Sequence, residues 1–297
     1  DRSPSRGLGD VYKRQKDMSQ LTAKSDIPVL YKQNTTNDLF QLIYVFDMGN
    51  NNDKALGTAF DYLEYLGTSD MTPEELKSEF YRLACTFYVS PGNERTYVVL
   101  SGLNENMPAA MQLFEKLLAD AQVNKEAYNN LVGDILKARA DAKLNQGQNF
   151  SRLMNYAMYG PKSPATNLLT EAELASMNPQ KLVDRIHNQN NYKHRILYYG
   201  PSSSKHLLAT IDQYHQVPAT LKDIPAGNEF SYLETPATKV LVAPYEAKQI
   251  YMAQISNLDK KYDPAIEPTR ELYNEYFGGG MNSIVFQEMR ETRGLAY

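Results

Sequence analysis

The chain has 297 residues, 42% of them hydrophobic and 22% charged, with a formal net charge of −4. This composition is globular rather than disordered, and the length suits one large domain or two of average size. The acidic balance, with no basic stripe, argues against a nucleic-acid partner.

Residues 1–20 open with a basic, Gly- and Ser-containing stretch (DRSPSRGLGDVYKRQ over 1–15) unlike the rest of the chain, and are read as a non-native or disordered lead-in. Two strands are expected over 27–31 and 39–48, around the turn Asn34-Thr35-Thr36-Asn37-Asp38. After the loop Gly49–Asp53, Leu56, Ala59, Phe60, Leu63 and Leu66 recur on one face and predict a helix over 54–66, with Gly67 just past its end. Thr72-Pro73-Glu74-Glu75 reads as a cap opening the next helix, to about Leu83. A hairpin of 86–90 and 96–101 turns at Pro91-Gly92-Asn93. Helices are expected over 106–118, 125–144, 149–159, 179–189 and 202–214, with a strand at 195–199 and a capping box at Thr170–Glu173.

Grouped helices between widely separated strands predict an α+β fold, with helices packed on one face of a mostly antiparallel sheet. The first domain is placed at 21–217, and the proline-bearing segment 218–238 is read as a linker. Residues 239–297 read as the start of a second similar domain, with strands at 239–242 and 249–257, a helix at 268–277, a glycine break at 278–280 and a helix at 282–292. The order weakly repeats the opening of the first domain. A chain that stops on Tyr297 with no closing strand reads as part of something longer.

Most familiar site chemistries are missing. Cys85 is the only cysteine; it excludes an internal disulfide and a cysteine zinc cluster, and reads as a small buried hydrophobe. Gly278-Gly279-Gly280 lacks the Lys-Ser/Thr of a phosphate loop, and no G-x-S-x-G occurs. His187, His194, His206 and His215 are not spaced as a helical metal pair and read as surface or capping residues. No run approaches the roughly 18 apolar residues that a membrane span needs. The compartment is left open; an extracytoplasmic or periplasmic setting is compatible.

Two segments carry a resemblance. FGGGMNSIVFQEMRETRGLAY (277–297) and, more weakly, GTAFDYLEYLGT (57–68) resemble the insulinase/pitrilysin family of zinc metallopeptidases, which includes the mitochondrial processing peptidases. The resemblance covers nearly everything from about residue 25 onward. Active members carry an inverted H-x-x-E-H zinc motif where this chain has Asp61, Glu64 and Tyr65, so only the glutamate is kept. Asp134 and Asp141 lie roughly where a distal acidic ligand would fall. The resemblance therefore implies a degenerate, metal-free domain with no catalytic residue and no cofactor of its own, zinc being expected in a missing N-terminal half.

It further implies that Arg290 and Tyr297 match the Arg and Tyr that the family's last domain presents to substrate. The alternative is that Arg290 pairs with Glu288 or Glu291 and Tyr297 is a strand residue. The function implied is that of the zinc-free C-terminal half of a metalloendopeptidase, closing a peptide chamber, with peptide substrate and the N-terminal catalytic half of the same protein as partners. A non-catalytic binding or assembly subunit of a processing-peptidase-like complex is the competing reading. An H-x-x-E-H upstream on the same chain separates the two.

Overall fold

The computed structural model of the protein describes residues 18–257 and 262–295. The lead-in over 1–17 lies outside that range. Side-chain alternation builds one sheet from β1 (Ser19–Ala23), β2 (Ile27–Gln33), β3 (Leu39–Phe46), β4 (Cys85–Pro91), β5 (Thr96–Leu103) and β6 (Arg195–Gly200), in the order β1-β2-β6-β3-β5-β4. Neighbours are antiparallel except β2 with β6. In β3, Phe40, Leu42, Tyr44 and Phe46 are buried in the core cluster, joined by Ile27, Val29 and Tyr31 of β2 and by Ile196 and Tyr198 of β6. The intervening Gln41 and Tyr199 are exposed, the period-2 signature of a half-covered sheet.

The helices supply the other half of that core. They are α1 (Leu56–Leu63), α2 (Pro73–Arg82), α3 (Met107–Asp120), α4 (Lys125–Lys143), α5 (Gln146–Tyr159), α6 (Glu171–Ser176), α7 (Gln180–Asn188) and α8 (Ser204–Tyr214). In α3, Met107, Ala110, Met111, Phe114, Leu117 and Leu118 repeat at three- and four-residue spacing and are all buried. Thr72 and Thr170 both form the reciprocal capping boxes their sequences announce. The fold is α+β.

Three local expectations change. Ser19 and Gln20, set aside with the lead-in, are strand residues that pair with Tyr31 and Leu30. β2 and β3 are not a hairpin: β6 lies between them, parallel to β2 and antiparallel to β3. The linker residues 218–228 are tethered, because Leu221 and Ile224 pack on the core and the Asn228 amide donates to the Asn51 carbonyl at 2.7 Å.

Contacts divide the chain into a first unit, up to Ser231 with Leu241–Ala253, and a second, Tyr232–Val240 with Gln254 onward. In the first unit, Tyr245 donates to the Leu144 carbonyl at 2.5 Å, Gln146 donates to the Gln249 carbonyl at 2.7 Å, and Phe150 meets Tyr251 edge-on. The expected strands at 239–242 and 249–257 do not form; among the described residues no strand runs beside them to take their backbone hydrogen bonds. In the second unit the expected helix is present as α9 (Glu267–Phe277), and Phe286–Thr292 is wound as a π-helix rather than an α-helix.

Phe114→Ala should lower unfolding free energy by about 3–5 kcal/mol, because a fully buried ring leaves a cavity. Tyr81→Ala, at a side chain 86% exposed, should change it by no more than about 0.5 kcal/mol. Urea denaturation of both variants checks the contrast.

Candidate functional site

The segment that resembles the inverted zinc motif is positioned by a tight loop. At Gly49 an added Cβ would lie 2.4 Å from the Gly92 carbonyl oxygen, so only glycine lets the loop touch the β4–β5 hairpin. Asp53 then accepts from the Ala55 amide at 3.0 Å and from Arg185 Nε at 2.6 Å, which fixes the start of α1.

The buried face of α1 carries Leu56, Ala59, Phe60, Tyr62 and Leu63. Tyr62 is fully buried, and its hydroxyl donates to the Asn124 carbonyl at 2.5 Å and accepts from the Asn124 amide at 2.8 Å. Asn124 in turn caps α4 through Ala127, at 3.0 Å. The phenol therefore ties α1 to α4 through both backbone groups of one residue.

This grip coincides with the end of the helix. α1 stops at Leu63; Glu64 is its C-cap, and the Tyr65 and Leu66 amides reach back only three residues, to Tyr62 and Leu63. Asp61, Glu64 and Tyr65 all lie on the exposed side. Partial desolvation pushes the Asp61 carboxyl up, and the Glu64 charge adds to it. Asp134 and Asp141 are on the exposed surface of α4.

These residues do not fit zinc. A catalytic zinc of this type needs two neutral imidazoles one helical turn apart with a further carboxylate. Here an aspartate and a phenol stand in for the imidazoles, and the phenol lies past the helix end. No three His, Cys, Asp or Glu side chains converge as a metal site among the described residues.

Arg290 sits in the π-helical segment, 47% exposed, with its guanidinium carbon 4.9 Å from the centre of the Phe286 ring. Its Nε is 3.9 Å from Glu291, while Glu288 is 3.8 Å from Arg293. Tyr297 lies outside the described residues.

A buried polar cluster went unread in the sequence. Glu115 of α3 and His215, which ends α8, both have fully buried side chains and meet at 2.6 Å through His215 Nδ1. Glu115 also accepts from the Tyr44 hydroxyl at 2.9 Å, the Asn190 amide at 2.9 Å and the Gln216 backbone N–H at 3.1 Å. His215 Nε2 lies 2.8 Å from His194 Nε2, and His194 Nδ1 lies 2.7 Å from the Tyr192 carbonyl. Burial, and then the neighbouring His215, push the His194 ring down to about 4. Burial first, and the Glu115 charge second, drive the Tyr44 phenol well up. His194 and His215 are thus interior residues rather than surface ones. The available signal was Glu115, a charge four residues after Met111 on the apolar stripe of α3.

No family profile matches the chain. Over 257 residues it is 21% identical to an uncharacterised zinc protease of Rickettsia felis, covering 84% of this chain and 60% of that protein. Over 246 residues it is 23% identical to the zinc protease YmxG of Bacillus subtilis, covering 80% and 57%. The chain thus spans somewhat more than half the length of these relatives. Among solved structures, it shares the fold of a peptidase M16 inactive domain from Pseudomonas fluorescens, with a TM-score of 0.65 at 17% identity, covering 94% of this chain and 69% of that one. Relatives named zinc proteases and the fold of an M16 peptidase domain thus make this chain similar to the insulinase/pitrilysin-type peptidases.

Proposed function

We propose that the chain is the zinc-free C-terminal half of an insulinase/pitrilysin-type metalloendopeptidase. It closes the peptide chamber against a catalytic half that holds the zinc, and it presents Arg290 and Tyr297 to the bound peptide. The carrying observation is the substituted motif: Asp61 and Tyr65 replace both imidazoles, and the helix that should hold them ends at Leu63. Support also comes from the likeness to an M16 domain described as inactive.

The chemistry assigned to the two residues is elementary. A guanidinium can hold a peptide carbonyl or carboxylate through paired donors. A phenol can donate to the oxyanion that develops as the peptide bond is attacked. The sheet ends in β1 and β4, and an extended peptide can add to such an edge through main-chain hydrogen bonds.

Two measurements test this reading. In the complete protein, Tyr297→Phe should lower turnover by about 2–4 kcal/mol of transition-state stabilisation, and Arg290→Ala by less if it only binds, with zinc content unchanged in both. Unaltered peptide turnover in both variants would make the pair structural and remove their assigned role. Separately, elemental analysis of this chain, purified alone, should find less than about a tenth of a zinc per molecule; stoichiometric zinc would overturn the assignment of a metal-free half.

A further inference from the structure

The buried Glu115–His215–His194 chain allows its protons to be counted. The Tyr192 carbonyl can only accept, so His194 Nδ1 carries a hydrogen. The two Nε2 atoms, 2.8 Å apart, have room for one hydrogen between them. His215 Nδ1 and the Glu115 carboxyl, at 2.6 Å, share another. The two rings and the carboxyl together therefore hold one proton more than two neutral imidazoles and a carboxylate would. That total is the same whichever atom of the Glu115–His215 pair the proton sits on.

The chain also joins separate elements. It links α3 through Glu115, the end of α8 through His215, β3 through Tyr44, and the turn before β6 through Asn190 and His194. It divides two clefts. One, of about 360 Å³, is lined by Glu115, Asn190 and His215; the other, of about 640 Å³, is lined by His194 and by residues 219–221 and Ile224. Asn190 Oδ1 is buried without a hydrogen-bond partner, so the cluster also contains one unsatisfied acceptor.

We propose that this chain is a proton-counting latch: it clamps α3, α8 and the approach to β6 together while it holds its one extra proton, and it releases them when a further proton is added or the extra one is lost. Adding a proton sets two N–H groups against each other across the 2.8 Å gap. Losing the extra proton leaves two acceptors facing each other there, or at the contact with Glu115.

The surrounding charges do not relieve either state. Across the first cleft stand Lys24 and His187, bonded to the Asp212 and Ala121 carbonyls. Across the second, Asp47 is held by Arg95 and Arg195, and Lys193 pairs with Asp223. Asp26 also lines that cleft, but both His194 nitrogens are already taken by Tyr192 and His215.

Once released into water, two imidazoles titrate near about 6.5 and carry on average one proton at that pH, matching the closed chain. Opening should therefore be rarest near there. The sign on the acid side follows from His194: the open state takes up protons below about 6.5, whereas the closed ring resists them until about 4, so closure weakens across that window. On the alkaline side the open state gives up a proton, whereas the 2.6 and 2.8 Å contacts each need a hydrogen between their heavy atoms to stay closed, so closure weakens again.

The test is amide hydrogen exchange of the full chain from pH 4.5 to 8.5, corrected for the intrinsic pH dependence of exchange. Residues 190–195 and 214–217 should be best protected near pH 6.5, with opening on the order of tenfold more frequent at pH 4.5. Protection that is flat, or that changes in one direction only across the range, would overturn the proposal. His194→Gln keeps an acceptor for His215 but removes the titrating ring, and should lose the acid limb; an unchanged acid limb would also overturn it. Nitrogen NMR of the unaltered protein decides independently of whether that variant folds. At pH 6.5 the two rings should together carry three N–H hydrogens, or the Glu115 carboxyl should carry one of them. A chain with no extra proton contradicts the latch.

Discussion

The molecule depends on one packing constraint: α3 must lie flat on the covered face of the sheet. Its stripe from Met107 to Leu118 fills the space over Phe40, Leu42, Tyr44 and Phe46, and α7 and α8 close around it. A stripe of this kind is nearly all apolar, because each buried methylene contributes about 0.8 kcal/mol when it leaves water. Glu115 is the exception. A carboxylate there is tolerable only because four donors converge on it, from β3, the 3-10 turn before β6, and the end of α8. The apolar contact sets where α3 lies, and the polar one sets which strands and helices must meet at that point.

In the proposed reading, α1 is a metal-site scaffold that persists without its metal. The apolar face of α1 still packs on the core, and Tyr62 grips Asn124 from within it. Packing constrains that inward face, whereas the outward positions 61, 64 and 65 carry no such burden. Side chains at 61 and 65 can therefore vary while the surrounding fold keeps its likeness to an M16 domain at low sequence identity.

Much of this architecture was legible because it rests on local periodicity. β3, the β4–β5 hairpin, the α3 stripe and the two threonine caps follow from spacing two, spacing three-to-four and capping chemistry. What escaped is non-local. β6 enters between β2 and β3 only after the long helical stretch 104–194, and no local signal marks that choice of neighbour. Ser19 and Gln20 are polar edge-strand residues beside an atypical stretch, and only their pairing with β2 identifies them. His194 and His215 stand 21 residues apart and meet only after α8 has returned to the sheet. Strands at 239–242 and 249–257 had the right composition, but composition supplies no partner.

The early end of α1 has a consequence for the positions just beyond it. The turn after Leu63 is wound tighter than an α-helix, so a side chain at 65 is carried further round the axis than the single turn separating two imidazoles on one metal. Imidazoles placed at 61 and 65 would therefore not by themselves build a zinc centre. The backbone would also have to unwind past Glu64, against the hold of Tyr62 on the next helix. The winding of the turn after Leu63, and not only the side chains at 61 and 65, thus stands between this segment and a metal.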